Sequence, residues 1–502
     1  MASSEPLCVD FRIEAGYRHR MMAFVRLVMI LLMVAPVALG APSQGATGER
    51  SHVPAAPQSV AVTQLENFLK AVATGDDDTS FNAVREIYSS AALNRSTWPA
   101  QRVFLQRLQF HGVERATATE AEITAYDPVV DGWAHLVASV DPRPPHQIIR
   151  MVVVLGARPK DVPAPAKLQP AALTAATRAQ LTTLTQQDRF AGAVLIARRG
   201  RPILTAAYGL ADREAHIPNR IDTEFRFGSL GKMFTAVAIM QLAQAGTLDL
   251  DAPVGQYLKD YPNREIATRV TINQLLTHTG GTGDIFGPEF FAHRESLRDL
   301  KDYIELYGTR APLFEPGTRR DYSNYGFILL GRIIEVTSGL SYDEYLKRNV
   351  FTPAGMSSTG MLPESVQLPR RAVGYTASGQ GELQSAADTL PYRGTSAGGG
   401  YSTVDDLLRF ANALFSQRLL DAAHTYLLTA GGMSGPGGTF IPYDFAGKTL
   451  EGRRFFGHSG AAPGMNGELR IFPDDGYVVI VLANLDPPAA TRVANFISDR
   501  LP

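Results

Sequence analysis

Phe227-Gly-Ser229-Leu-Gly-Lys232-Met-Phe234 sets a serine one helical turn ahead of a lysine, at the head of an apolar run that reaches Ala245. Residues three apart on a helix share a face, so Lys232 can hydrogen-bond Ser229 if the run is helical. A serine in a first turn also stands at the positive end of the helix dipole, and its backbone N–H has no intrahelical partner, so it can hold an oxyanion. A hydroxyl beside a proton acceptor, with a donor for developing negative charge, suits acyl transfer.

Ser-x-x-Lys alone is a common coincidence in a long chain. Here it has company in Tyr322-Ser-Asn324 and, near the C-terminus, His458-Ser-Gly460. The residues around these stretches predict one domain. A hairpin opens it, with strands at 192–197 and 203–208 joined by a turn at Arg198-Arg-Gly200-Arg201. Three more strands are predicted at 454–458, 467–472 and 477–484, followed by a closing helix from Ala489. Strands from both ends pair into one antiparallel sheet, and a long, largely helical insert runs between them from Ser229 to about Phe415, broken by turns such as Phe314-Glu-Pro-Gly317.

In their order and wide spacing, the three motifs resemble those of the penicillin-recognising serine hydrolases, in the branch of class C β-lactamases, D-alanyl-D-alanine carboxypeptidases and related esterases. Gly246-Thr-Leu-Asp-Leu-Asp-Ala-Pro-Val254, Leu275-Leu-Thr-His-Thr-Gly280 and Ala397-Gly-Gly-Gly-Tyr-Ser402 strengthen the likeness, which covers about Ala172 to the C-terminus. The fold class it implies is α+β: a β-lactamase-like antiparallel sheet flanked by helices, with an inserted helical subdomain.

The chemistry gives each motif a role. Serine is a poor nucleophile at neutral pH, so a base must take its proton as it attacks a carbonyl. Lys232 can do so only when neutral, and Phe225, Phe227, Met233 and Phe234 supply the apolar setting that favours that form. Tyr322 is the other candidate base, and the resemblance leaves the role shared between them. Asn324 is expected to hydrogen-bond Lys232 and the carbonyl side of the substrate. His278-Thr-Gly280 also spells His-x-Gly, but it ends a helix-patterned run at 272–277, with Gly280-Gly281 as the expected C-cap, and it falls between the first two motifs. His458 follows Phe455-Phe456 on a predicted strand and leads into a Gly-Ala-Ala-Pro turn, as the third motif requires. There Gly460 lets a substrate align along the strand edge, and the Ala461 N–H joins that of Ser229 as the second oxyanion donor.

Class C β-lactamases resemble this chain except for a lysine where His458 stands. Histidine is mostly neutral near pH 7, so the fixed charge that seats a drug carboxylate is absent. That points to esters, amides or D-amino-acid peptides as small-molecule substrates, with a penicillin-binding D-Ala-D-Ala carboxypeptidase or weak β-lactamase as the alternative. A catalytically silent cell-envelope binding protein is a second alternative, opposed by the intact Ser229, Lys232 and Tyr322. Selectivity is expected from loops around Phe286–Phe291 and Tyr392–Tyr401.

Before this domain, helices are predicted at 60–73 and 81–93 and strands at 121–126, 133–140 and 147–155, a small α+β unit over 58–158 with a linker at 159–171. In element order, and in the Trp133…Val140-Asp-Pro…Ile148-Ile149 stretch, it resembles the cone-shaped nuclear-transport-factor-like domains. Trp98, Trp133 and His146 are candidates to line a pocket there. Gly75-Asp-Asp-Asp78 reads as a solvated loop, not a metal site.

Of 502 residues, 45% are hydrophobic and 19% charged, an ordinary globular balance, and a formal charge of −1 offers nothing to nucleic acid. Arg26 precedes an apolar run at 27–39 ending on Ala38-Leu-Gly40, which reads as an export signal, with the true start at Met21 or Met22. The run is too short for a stable membrane anchor, and the destination is periplasmic or secreted. Cleavage after Gly40 removes Cys8, the sole cysteine, and excludes thiol catalysis. No cofactor or metal is expected: there is no His-Glu-x-x-His, and Gly398-Gly-Gly400, read as a flexible turn near the cleft, lacks the Lys-Ser/Thr of a phosphate loop. The oligomeric state is unreadable from sequence.

Overall fold

The computed structural model describes residues 59–502 apart from 90–94, 96–97, 99–101, 103–104, 129–131, 157, 378–381, 436–439 and 451–452. The export signal, its Met21 or Met22 start and Cys8 lie outside the described residues.

The N-terminal unit contains α1 (Val60–Ala73), α2 (Asp77–Ile87), β1 (Gln109–Ala116), β2 (Glu120–Asp127), β3 (Gly132–Val140) and β4 (Ile148–Gly156), the strands pairing antiparallel in sequence order. α1 covers the expected span, and its Leu65, Phe68 and Val72 share a core with Ile123, Ala125 and Leu136 of the sheet. α2 starts earlier than expected because Asp76 caps it, accepting from the Thr79 N–H at 2.8 Å. The acidic cluster is therefore a helix start and not the solvated loop read from sequence. Asp77 and Asp78 lie in the first turn, where the dipole favours them, and pair with Arg102 and Arg95. β1 was not foreseen: seven of its eight residues are exposed, so it lacks the alternation that marks a half-buried strand. Trp98 is a core residue set edge-on to Phe81, Trp133 stands near the start of β3, and His146 lies past its far end, in the connection to β4, so the three line no common pocket.

The rest of the chain contains α3 (Pro170–Gln186), β5 (Gly192–Arg198), β6 (Arg201–Tyr208), α4 (Gly231–Gln244), α5 (Ile272–Leu276), α6 (Asn324–Ser338), α7 (Val404–Phe415), β7 (Lys448–Leu450), β8 (Arg453–Ala462), β9 (Met465–Phe472), β10 (Tyr477–Ala483) and α8 (Ala489–Arg500), with shorter elements between them. The large sheet runs β7-β8-β9-β10-β5-β6, antiparallel throughout, so the two ends of the domain meet where β10 pairs with β5. The β5–β6 turn places Arg199 and Gly200 at φ 48° and 75°, the two left-handed residues a tight hairpin needs.

Both faces of the sheet are covered. Leu195, Ile480 and Leu482 pack with α4, α6 and α7, while Val194, Ile196, Val479 and Val481 pack with α3 and α8. Strands buried on two sides read as continuous apolar runs, which is how 192–197 and 477–483 look in the sequence. α4 is buried from Gly231 to Met240, as a helix apolar all round must be. The N-terminal sheet sits against α8, on the side of the large sheet away from α4. Arg492 of α8 meets Asp127 of β2 at 3.0 Å, with Arg107 at 3.3 Å from the same carboxylate, and both Arg492 and Asp127 are buried. No helix among the described residues is long and apolar enough to cross a membrane.

Candidate active site

Gly228–Leu230 form a 3₁₀ turn that feeds directly into α4, so Ser229 stands at the head of the helix and Lys232 on its first turn. Gly228 takes φ +55°, which aims the turn toward β8. The Lys232 amine is wholly buried. It lies 3.2 Å from Ser229 Oγ and 2.7 Å from Asn324 Oδ1, and it also donates to the Ala397 carbonyl. Burial brings its pKa down to about 7, against the opposing pull of the Asp444 and Asp284 carboxylates. A charged ammonium fills all three contacts as a donor. A neutral amine donates two hydrogens and turns its lone pair to the Ser229 hydroxyl, which is the base geometry.

Tyr322 precedes the Ser323 N-cap of α6, whose Oγ accepts from the Gly326 N–H at 2.8 Å. Its hydroxyl hydrogen-bonds Ser229, and Lys232 Nζ lies 4.8 Å from its ring centre. Burial and the nearby Asp444 push the Tyr322 phenol well above its ordinary pKa. Tyr322 therefore stays protonated at neutral pH, and the phenolate role considered from sequence does not fit. Asn324 opens α6 with its carbonyl oxygen toward Lys232. Its amide nitrogen lies 3.0 and 3.2 Å from the two Asp284 oxygens, so one of its two N–H groups is committed to that carboxylate.

The third motif lies on β8, which continues through Ala462; the turn expected at Gly460–Pro463 begins later, and Gly460 and Ala461 are strand residues. A Cβ on Gly460 would lie 1.8 Å from the Phe227 carbonyl and 3.2 Å from the Ser229 nitrogen, and one on Gly228 would lie 3.0 Å from the Ala461 nitrogen. The β8 edge thus touches the serine turn with no side chain between them. His458 does not offer a ring nitrogen to the serine: Nδ1 meets the Ser459 carbonyl and Nε2 meets Asp444.

His278 is not the third-motif histidine, but it is more than a helix end. It occupies the left-handed position after α5 itself, at φ 59°, ahead of the glycines expected to cap the helix. Its ring stacks 4.4 Å from that of Tyr322, and Nδ1 accepts from the Ser323 N–H at 3.0 Å. Nε2 stands 3.2 Å from Asp444, close enough for charge interaction but out of line for a hydrogen bond. Burial lowers the His278 pKa to about 4, which keeps the ring neutral. Asp444 also receives Arg320 at 2.6 Å. Burial works against its charge, but His278 and His458 outweigh that and hold its pKa well below the ordinary carboxylate value.

Residues 172–501 match the family described as Beta-lactamase. The chain belongs to the beta-lactamase family. As a serine hydrolase of that family, it is 31% identical over 297 residues to the putative penicillin-binding protein PbpX of Bacillus subtilis, covering 58% of this chain and 70% of that one. It is 33% identical over 222 residues to esterase EstB of Burkholderia gladioli, covering 41% of this chain and 56% of the other. The D-stereospecific amidohydrolase of a Streptomyces species superposes with a TM-score of 0.54 at 25% identity, over 65% of this chain and 98% of that one.

Within the beta-lactamase-family domain, Ser229, Lys232, Tyr322 and Asn324 meet at one point, with Gly460 and Ala461 alongside and His458 linked through Asp444. Sequence reasoning missed Asp284, Asp444 and the Ala397 carbonyl. A lone acidic residue and a backbone oxygen carry no motif; Asp284's place after Gly280-Gly-Thr-Gly283 was the one available hint. Gly398–Gly400, read as a flexible turn, is a packed one: all three have positive φ, and a Cβ on Gly398 would lie 2.6 Å from the Gly228 carbonyl. Phe290 is fully buried, so that part of the supposed selectivity loop belongs to the core. Among the described residues no His, Cys, Asp and Glu cluster is placed to hold a metal ion.

Proposed function

We infer that this protein is an exported hydrolase of small esters or amides that forms an acyl-enzyme at Ser229, with Lys232 as the base. The observation that carries the reading is the fully buried Lys232 amine, 3.2 Å from Ser229 Oγ, with a pKa of about 7. Near neutral pH the neutral amine takes the hydroxyl proton as Oγ attacks the substrate carbonyl, and the developing oxyanion lies between the Ser229 and Ala461 N–H groups. Tyr322, a protonated phenol beside Oγ, is placed to pass the proton held by the Lys232 ammonium on to the leaving group, gaining one proton as it gives another, so that it stays a phenol and the amine is neutral again. Water then attacks the acyl carbonyl, the neutral Lys232 amine takes its proton, and the ammonium returns that proton to Ser229 Oγ as the acid leaves.

Esterase EstB and the D-stereospecific amidohydrolase support esters and D-amino-acid amides as the substrate class. The likeness to PbpX supports the second reading, a D-Ala-D-Ala carboxypeptidase, which would show itself as a long-lived acyl-enzyme with a β-lactam. We read 58–158 as a separate cone-like module, on its two helices followed by a four-stranded sheet, joined by 159–171 to the hydrolase at 172–502.

The test is intact mass after treatment with a fluorophosphonate probe, on wild type and on Ser229→Ala. One adduct on the wild type alone, with ester turnover lost in the variant, is the expected result. Equal labelling or equal turnover in the two would overturn the assignment, and no adduct on folded wild type would favour the silent binding protein.

A further inference from the structure

Asp284 is a half-buried carboxylate beside the active site that the reaction itself does not use. It follows Gly283, which takes φ +73°, in the loop between α5 and α6, and its Oδ1 accepts the Ile285 N–H at 2.6 Å. Neighbouring contacts pin the same loop: Ser323 Oγ donates to the Gly283 carbonyl and lies 2.8 Å from Thr282 Oγ. Arg310 donates to the Asp284 carbonyl at 2.9 Å. The carboxylate is therefore held from its own backbone and faces Asn324.

The two ends of the Asn324 amide meet unlike groups. Lys232 Nζ, a donor, lies 2.7 Å from Oδ1, and the Asp284 oxygens, acceptors, lie 3.0 and 3.2 Å from Nδ2. Turning the amide over would set an N–H against the lysine and a carbonyl oxygen against the carboxylate, two repulsive contacts in a buried site, so one orientation is enforced. Asn324 is the second-motif group expected to donate to a carbonyl on the acyl side of a substrate, and with one N–H held by Asp284 the other has its direction fixed.

We propose that Asp284 determines specificity by engaging the Asn324 amide nitrogen and fixing its direction, so that the site favours acyl groups lacking an amide substituent next to the scissile carbonyl. Plain carboxylic esters meet that description; N-acylated D-amino-acid esters and peptides, and the acylamino β-lactams, do not. The inference rests on the acyl-enzyme reading above and narrows it to one substrate class. Asp284 acts here as a positioning residue, through Asn324.

Two phenyl esters that differ only in an acetamido group test it: phenyl propionate and the phenyl ester of N-acetyl-D-alanine. Each kcat/KM is normalised to the ester's hydroxide-catalysed rate. In the wild type the acetamido group should confer no advantage. In Asp284→Asn and Asp284→Ala, checked for folding by thermal unfolding, the ratio should move toward the acetamido ester by about tenfold, the worth of one hydrogen bond, chiefly through KM. A wild-type preference for the acetamido ester of tenfold or more overturns the proposal without any variant. So does an unchanged ratio in folded variants, including the case in which both esters slow in parallel because only Lys232 was disturbed. If wild type turns over neither ester and takes no fluorophosphonate, the acyl-enzyme reading has failed, and this inference fails with it.

Discussion

Lowering the pH should switch off acylation in a way that reports Lys232 directly. With its pKa brought to about 7 by burial, the amine is roughly half neutral at pH 7, about a tenth neutral at pH 6 and about a hundredth at pH 5. Only the neutral fraction can take the Ser229 proton. kcat/KM for a phenyl ester should therefore fall about tenfold per unit below pH 7 and level off above pH 8. Tyr322 is held protonated across this range, so it adds no second rise at alkaline pH. The assay is the initial rate at low substrate from pH 5 to 9.5 at constant ionic strength, with circular dichroism confirming the fold at each end. The control is Lys232→Arg, whose guanidinium stays charged throughout. It should lose the pH-dependent part of the rate altogether. A flat wild-type profile between pH 5 and 9, or a single inflection near pH 10, would refute Lys232 as the neutral base.

Gly460→Ala should lower kcat for esters by about a hundredfold or more, because its Cβ would overlap the Phe227 carbonyl and push β8 off the serine turn; steady-state kinetics on folded variant checks this. Asp127→Ala removes the buried carboxylate that Arg492 and Arg107 share and should destabilise the protein by about 3 kcal/mol in urea unfolding. Its specific ester activity should be retained, since this contact lies behind the large sheet.

Much of the hydrolase domain was legible because its signals are local. Both hairpin strands, the turn at Arg199-Gly200 and the strands ending in β10 are apolar runs bounded by turn residues. The run after Ser229 is helical because its continuous apolarity suits a helix buried all round. Elements without such contrast escaped notice. β1 is exposed on both faces, and α3 mixes threonine and alanine with only Leu173, Thr177, Leu181 and Leu184 buried. The start of α2 was misread because an aspartate cluster looks the same in a loop as at a capped helix end, until Thr79 is seen donating to Asp76.

By itself the sequence determined that Ser229 and Lys232 stand side by side, and the order of the three motifs, since residues one turn apart meet whenever the helix forms. Tertiary structure alone decided the rest. That Lys232 is desolvated enough to lose its charge depends on α4 being enclosed between the sheet and α6. That His458 faces Asp444, and Asn324 faces Asp284, depends on carboxylates brought in from segments 14 and 40 residues away along the chain. Burial and long-range charge set the protonation and orientation of these groups, and neither is a property of spacing.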